Sequence, residues 1–109
     1  MCRGAGLTAE IAAAPPLLAG AEALARAGVR TGASTRNWAS YGEAVRLPEG
    51  LPDWRRDLLT DPQTSGGLLI AVAEADAAGV IDLAKRRGFA SAAVIGRLRE
   101  GPAEIVVTT

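Results

Sequence analysis

The stretch TDPQTSGGLLIAVA, residues 60–73, places two unlike pieces end to end: a polar, glycine-rich turn and a run of six apolar residues. Pro62 fixes a turn, and Asp61 can bond to nearby backbone N–H groups. Gly66 and Gly67 permit backbone angles closed to other residues and remove side chains that would block an approaching group. Thr64 and Ser65 offer hydroxyls, and Gln63 an amide. A loop of this composition can present several N–H donors to an anion, or it can be a plain turn; chemistry alone leaves both readings open. It is not a nucleotide-binding P-loop, because no Lys-Ser/Thr follows the glycines and the next segment reads as a strand. That segment, LLIAVA (Leu68 to Ala73), has the length and continuous apolarity of a strand covered on both faces.

Working outward, Ala77, Val80, Ile81 and Ala84 mark the inner face of a helix ended by Gly88. AAVIGRL (92–98) and AEIVV (103–107) read as an antiparallel terminal hairpin turned at Gly101-Pro102. Upstream, Leu7 to Ile11 alternates as a short strand. Pro15-Pro16 ends it and opens a helix with Leu17, Ala21, Leu24 and Ala25 on one face and Gly28 at its C-terminal end. Ser34 or Thr35 is expected to cap a short helix holding Trp38 and Tyr41. Pro48 to Pro52 is a loop, and DWRRDLL (53–59) one or two helical turns. Strands interleave with helices, so the class is α/β or α+β. The opening MCRGAG looks like the frayed end of a helix. The sheet would have few strands, which points to a piece of a larger protein.

The 109 residues suit a single domain, 1–109. Apolar residues make up 49% but aromatic ones only 4%, so the core must be aliphatic. Net charge is zero, which argues against a nucleic-acid partner. The one dense basic run, Lys85-Arg86-Arg87, fits the last turn of a helix, where it complements the dipole. No apolar run approaches the roughly 20 residues of a membrane span, no signal peptide is evident, and the single Cys2 has no disulfide partner. A cytoplasmic protein is the expectation.

There is no histidine, so the commonest general base and metal ligand are missing. The carboxylate pairs Glu74/Asp76 and Asp53/Asp57 fall near helix starts and on solvent faces, where capping or solvation accounts for them. Cys2 has no base to lower its pKa and reads as incidental. No catalytic or metal-binding residue is therefore assigned. In GASTRN (32–37), Arg36 could hold a carboxylate or phosphate in two-pronged fashion, or act as a structural clamp in a capped turn.

LLTDPQTSGGLLIAVA resembles the signature near the C-terminus of the selenophosphate synthetase (selenide, water dikinase) family. MCRGAGLTAEI is similar to the segment that follows that family's central TDVTGFGLLGHL motif. GASTRNWASYG is similar to its GGTxRN stretch, with Ala33 and Ser34 in place of Gly and Thr; Ala33 would not fit if that position needs a positive backbone angle. DPQTSGGLL matches without departure, and its wording sets the chain apart from the related aminoimidazole ribonucleotide synthetases. The resemblance implies most of the C-terminal domain of a two-domain protein, a layered α-β-α unit with partly ferredoxin-like character, incomplete at its N-terminal side. It implies an enzyme that makes selenophosphate from selenide and ATP, releasing AMP and phosphate, with magnesium and as a homodimer. The family's reactive cysteine or selenocysteine, its lysine and its magnesium aspartates lie in segments without counterparts here. What carries over is a supporting place at the ATP cleft for Gln63, Thr64, Ser65, Gly66, Gly67, Arg36 and Asn37, in a chain inactive by itself. The competing reading is a stand-alone, non-catalytic binding or regulatory module of the same fold.

Overall fold

A computed structural model describes residues 1–109. The chain runs α1 (Cys2–Ala5), β1 (Leu7–Ala12), α2 (Ala21–Arg26), α3 (Gly32–Tyr41), a single 3-10 turn (Gly42–Ala44), β2 (Val45–Arg46), α4 (Asp53–Leu59), α5 (Glu74–Arg86), β3 (Gly96–Glu100) and β4 (Ile105–Thr108). The class is the expected α/β, a mixed sheet of four strands in the order β2-β4-β1-β3 with helices between the strands.

β1 is the strand on which the sheet is built. It pairs antiparallel with β3, setting Glu10 opposite Arg97 and Ile11 opposite Gly96. On its other side it pairs parallel with β4, setting Ala9 opposite Ile105 and Ile11 opposite Val107. The expected terminal hairpin is therefore not formed: β3 and β4 leave room for β1 between them. The link Gly101–Glu104 instead crosses the start of β1, where the fully buried Thr8 hydroxyl donates to the Pro102 carbonyl at 2.6 Å and the Ala9 N–H donates to the Glu104 carbonyl at 3.0 Å. Insertion satisfies the backbone of β1 on both edges, which a β3–β4 hairpin could not do. The alternating pattern of the two segments is the same in either arrangement.

LLIAVA is the second departure. Residues 62–72 make no backbone–backbone hydrogen bond, and Leu68, Leu69, Ile70 and Val72 are exposed. Both edges of β1 are taken by β3 and β4, and strand composition without a ladder partner does not make a strand. α5 follows as an exposed arm whose half-buried residues include Ala77, Val80, Ile81 and Ala84, the expected inner stripe. Its first turn carries Glu74 and Asp76 and its last turn Lys85 and Arg86, complementing the dipole at both ends.

The helix expected from Leu17 is shorter than its apolar spacing suggests. Gly20 takes φ 82°, so the helix begins only at Ala21, and Gly28 ends the segment at φ 85° as expected. α2 and α4 are joined through Trp54, whose ring is met by the guanidinium groups of Arg26 (4.2 Å) and Arg55 (4.6 Å). Glu22 holds Arg26 at 2.8 Å. α4 is tied back to the end of β1 by Arg55 Nη1, which donates to the Ala13 carbonyl at 3.2 Å. Only 7 of 109 residues are buried, and the radius of gyration is 14.6 Å against roughly 13 Å for a compact domain of this length. The core is small and centred on Ala9, Ala13 and Val107. No helix is long and apolar enough to cross a membrane.

Charge closes the β1–β3 pair. Glu10 receives Arg99 at 2.5 Å and Arg97 at 2.6 Å, and the hydrogen bond from Arg99, then that from Arg97, hold its carboxyl below the usual carboxylate range. A carboxylate with a depressed folded pKa contributes stability above its unfolded value and loses it as pH falls through the folded one. Acid titration from about pH 5 downward should therefore lower Tm, and Glu10→Gln should lose part of that slope.

The same strand pair sets a backbone constraint. A Cβ on Gly96 would run into the carbonyl of Glu10, which cannot move without breaking the ladder. Gly96→Ala should cost about 1–3 kcal/mol, seen as a clear drop in Tm. Gly79→Ala, in open space on α5, should hold or raise it, since alanine favours a helix interior over glycine by up to about 1 kcal/mol.

Candidate functional site

The polar loop starts where α4 ends and lies against the beginning of α3. Thr60 is buried, and its hydroxyl donates back into α4, to the carbonyls of Arg56 (3.0 Å) and Asp57 (3.3 Å). The Thr60 carbonyl accepts from Asn37 Nδ2 at 2.9 Å. Asp61 then faces the N-terminus of α3: its Oδ1 accepts from the Thr31 hydroxyl at 3.1 Å and lies 3.4 Å from the Ser34 hydroxyl, while Oδ2 accepts from Gln63 Nε2 at 3.3 Å. A carboxylate at that end of a helix is also favoured by the dipole.

Thr31 caps α3, its hydroxyl accepting from the Ser34 N–H at 3.3 Å. The cap thus lies earlier than the expected Ser34 or Thr35. Ser34 is 1% exposed and works inside the helix, with its hydroxyl directed at the Asp57 carbonyl, 3.2 Å away. Burial explains the shift: a hydroxyl packed between α3 and α4 needs an acceptor there, and the exposed Thr31 is free to cap. Ala33 lies within α3 and has no positive φ, so the alanine is no obstacle.

The two sequence segments singled out are therefore neighbours, joined by Asn37 to Thr60 and by Thr31 and Ser34 to Asp61. Asn37 is half-buried and spends its amide on the backbone. Arg36 is exposed, takes part in no ion pair, and runs back towards Gly32. Gln63 to Gly67 are exposed, and their N–H groups donate to no backbone carbonyl. The hydroxyls of Thr64 and Ser65 make no intramolecular hydrogen bond. The arrangement can offer a row of unused N–H and O–H donors to an anion, with a free guanidinium on the adjoining helix.

Thr31, Ser34 and Asp61 are the members that sequence reasoning undervalued. Asp61 was expected to bond to backbone N–H groups and bonds to side chains instead. The signal was present in the spacing of hydroxyls at Thr31 and Ser34, but nothing local shows that their acceptor lies 27 or 30 residues away. Asp53 is exposed and pairs with Arg56 at 3.2 Å, whereas Asp57, expected on a solvent face, is largely buried and pairs with Arg30 and Arg56, each at 3.4 Å. No three His, Cys, Asp or Glu side chains converge as a metal site, and these residues do not fit a magnesium centre. A cavity of about 20 Å³ beside Trp54 and Leu58 is water-sized and does not reach the loop.

The two glycines have different reasons to be glycine. Gly66 packs against Gln63: an added Cβ would lie 2.7 Å from the Gln63 Cβ, so the turn would have to open. Gly67 has open space and no positive φ, and the left-handed residue of the loop is Ser65, at φ 55°. Gly66→Ala should therefore lower Tm while Gly67→Ala leaves it in place. Ser65→Gly should hold or raise it, because a non-glycine residue in that region costs about 1–3 kcal/mol. Thermal melts of the three variants decide this.

Residues 1–108 match the family described as AIR synthase related protein, C-terminal domain. The selenide, water dikinase of Burkholderia pseudomallei (strain K96243) is 52% identical over 109 residues, covering 99% of this chain and 31% of that protein. That of Burkholderia ambifaria (strain MC40-6) is 52% identical over 108 residues, 98% of this chain and 30% of the relative. The selenide, water dikinase of Pseudomonas straminea is 50% identical over 108 residues, with the same coverages. The chain thus spans about 30% of the length of the curated relatives it matches. With the match running from residue 1 to residue 108 through every element of the sheet, the chain belongs to the AIR synthase related protein C-terminal domain family.

Proposed function

We propose that these residues form the C-terminal domain of a selenide, water dikinase, which makes selenophosphate from selenide and ATP with release of AMP and phosphate. The observation that carries the reading is the exposed loop Gln63–Gly67, whose N–H groups have no backbone acceptor, in a chain half identical to proteins of that name. In this reading the loop and Arg36 border the phosphate side of an ATP cleft, and Asn37 buttresses it by holding Thr60. The reacting groups and any magnesium ligands come from the rest of such a protein, and the complete enzyme is a homodimer in the cytoplasm.

This chain's own contribution is binding and orientation. Neutral N–H donors and one guanidinium stabilise phosphate charge without supplying a base, which suits a segment with no histidine. Purified alone, the 109-residue chain should form no AMP from ATP, with or without selenide. In a full-length protein carrying this sequence, Arg36→Ala and Ser65→Ala should each weaken ATP use about tenfold or more, the effect of losing one hydrogen bond to a charged group. Tm should stay close to wild type. Selenide-dependent AMP formation across an ATP titration measures this, and unchanged kinetics in both variants would remove the loop from the cleft.

A further inference from the structure

The loop Gln63–Gly67 has an anchor on one side only. Downstream, Leu68 to Val72 run exposed and make no backbone hydrogen bonds. Upstream, Thr60 is fixed to the end of α4 and by Asn37, and Asp61 is fixed by Thr31, Ser34 and Gln63. The place of the free N–H donors is therefore set from Asp61.

The proton count supports a directed contact. Thr31 Oγ1 accepts the Ser34 N–H and lies 3.1 Å from Asp61 Oδ1 and 3.3 Å from Ser34 Oγ; its single O–H goes to the nearer oxygen, which is also the charged one. Ser34 has one proton for three possible acceptors, the Asp57 carbonyl at 3.2 Å, Thr31 Oγ1 at 3.3 Å and Asp61 Oδ1 at 3.4 Å. The shortest contact, to the Asp57 carbonyl, takes it, so Thr31 is the firm link between the start of α3 and the loop. Gln63 Nε2 on Oδ2 then folds the turn back over its own anchor. The contacts also engage both oxygens of a negative charge next to a loop proposed to meet phosphate.

We infer that Asp61, held by Thr31, is a positioning residue that sets the loop for nucleotide phosphate and does not itself touch the ligand. The inference rests on the nucleotide-adjacent reading of the loop. Its test uses a full-length protein carrying this sequence, with ATP as the probe. Thr31→Val removes the hydroxyl and keeps the shape; Thr31→Ser keeps the hydroxyl; Asp61→Ala removes the acceptor and leaves the helix cap intact.

Thr31→Val and Asp61→Ala should each raise KM for ATP about tenfold, the loss expected for one hydrogen bond to a charged group, with kcat within about twofold. Thr31→Ser should restore the wild-type KM, and the double variant Thr31→Val/Asp61→Ala should be no worse than Asp61→Ala, since both break one link. Thermolysin cleavage before Leu68 and Leu69 should quicken in Thr31→Val and Asp61→Ala. Additive effects, a Thr31→Ser as impaired as Thr31→Val, or an unchanged KM would overturn the inference. If Thr31→Val loses the fold through its cap, Asp61→Ala against wild type decides by the same KM and cleavage readings. An unchanged KM in these variants while Arg36→Ala raises it defeats the positioning role alone; an unchanged KM in Arg36→Ala and Ser65→Ala as well defeats the ATP reading and the inference together.

Discussion

The sheet depends on one strand having partners on both sides. β1 takes β3 antiparallel and β4 parallel, and β2 joins only through β4. Two of the four buried apolar residues, Ala9 and Val107, belong to the β1–β4 pair, and a third, Ala13, directly follows β1. The fully buried Thr8 hydroxyl holds the β3–β4 link over the strand's end. The helices reach the same strand by a short route: Arg55 of α4 bonds the Ala13 carbonyl and stacks on Trp54, which also receives Arg26 of α2. With so little apolar area removed from water, directional contacts of this kind have more to specify than in a larger core.

The candidate site is attached to this frame through α4. Thr60 and Asp61 are where the helix stops, and α3 meets them with Thr31, Ser34 and Asn37. Four polar side chains act across a junction of two short helices, where apolar packing would leave the direction of the outgoing chain loosely defined. The loop beyond carries exposed donors that take no part in that junction's bonds, so rigidity and availability belong to different residues. Asn37 and Asp61 are spent on structure, whereas Arg36, Thr64 and Ser65 remain unspent.

Local signals were legible where the chain itself supplies the cause. Gly28 and Gly88 end their helical segments with positive φ, as their places predict. Leu7 to Ile11 is a strand, Trp38 and Tyr41 share a helix, and the acids and bases of α5 sit at the ends the dipole favours. What could not be read is partnership. LLIAVA has the composition of a buried strand, yet it pairs with nothing in this chain. AAVIGRL and AEIVV have the spacing of a hairpin, yet β1 lies between their strands. Neither fact is encoded in periodicity, because which segment occupies an edge depends on residues about 90 positions away. For the site, residue types pointed to the loop and to GASTRN separately; the bond from Asn37 to Thr60 that unites them is a tertiary fact. The distinction between Gly66 and Gly67 is likewise one of neighbours, since both are equally permissive as residues.

The order of the strands has a consequence for synthesis. β1 leaves the ribosome ahead of both of its partners, and Pro102, which receives its Thr8 hydroxyl, follows 94 residues later. At roughly 5–20 residues per second, β1 waits about 5–20 s for both of its partners. A bare strand with two open edges is a template for pairing with other chains. Glu10, at the centre of β1, carries a full negative charge during that interval, before Arg97 and Arg99 exist to neutralise it. The residue that later locks the sheet is thus also a gatekeeper for the nascent chain.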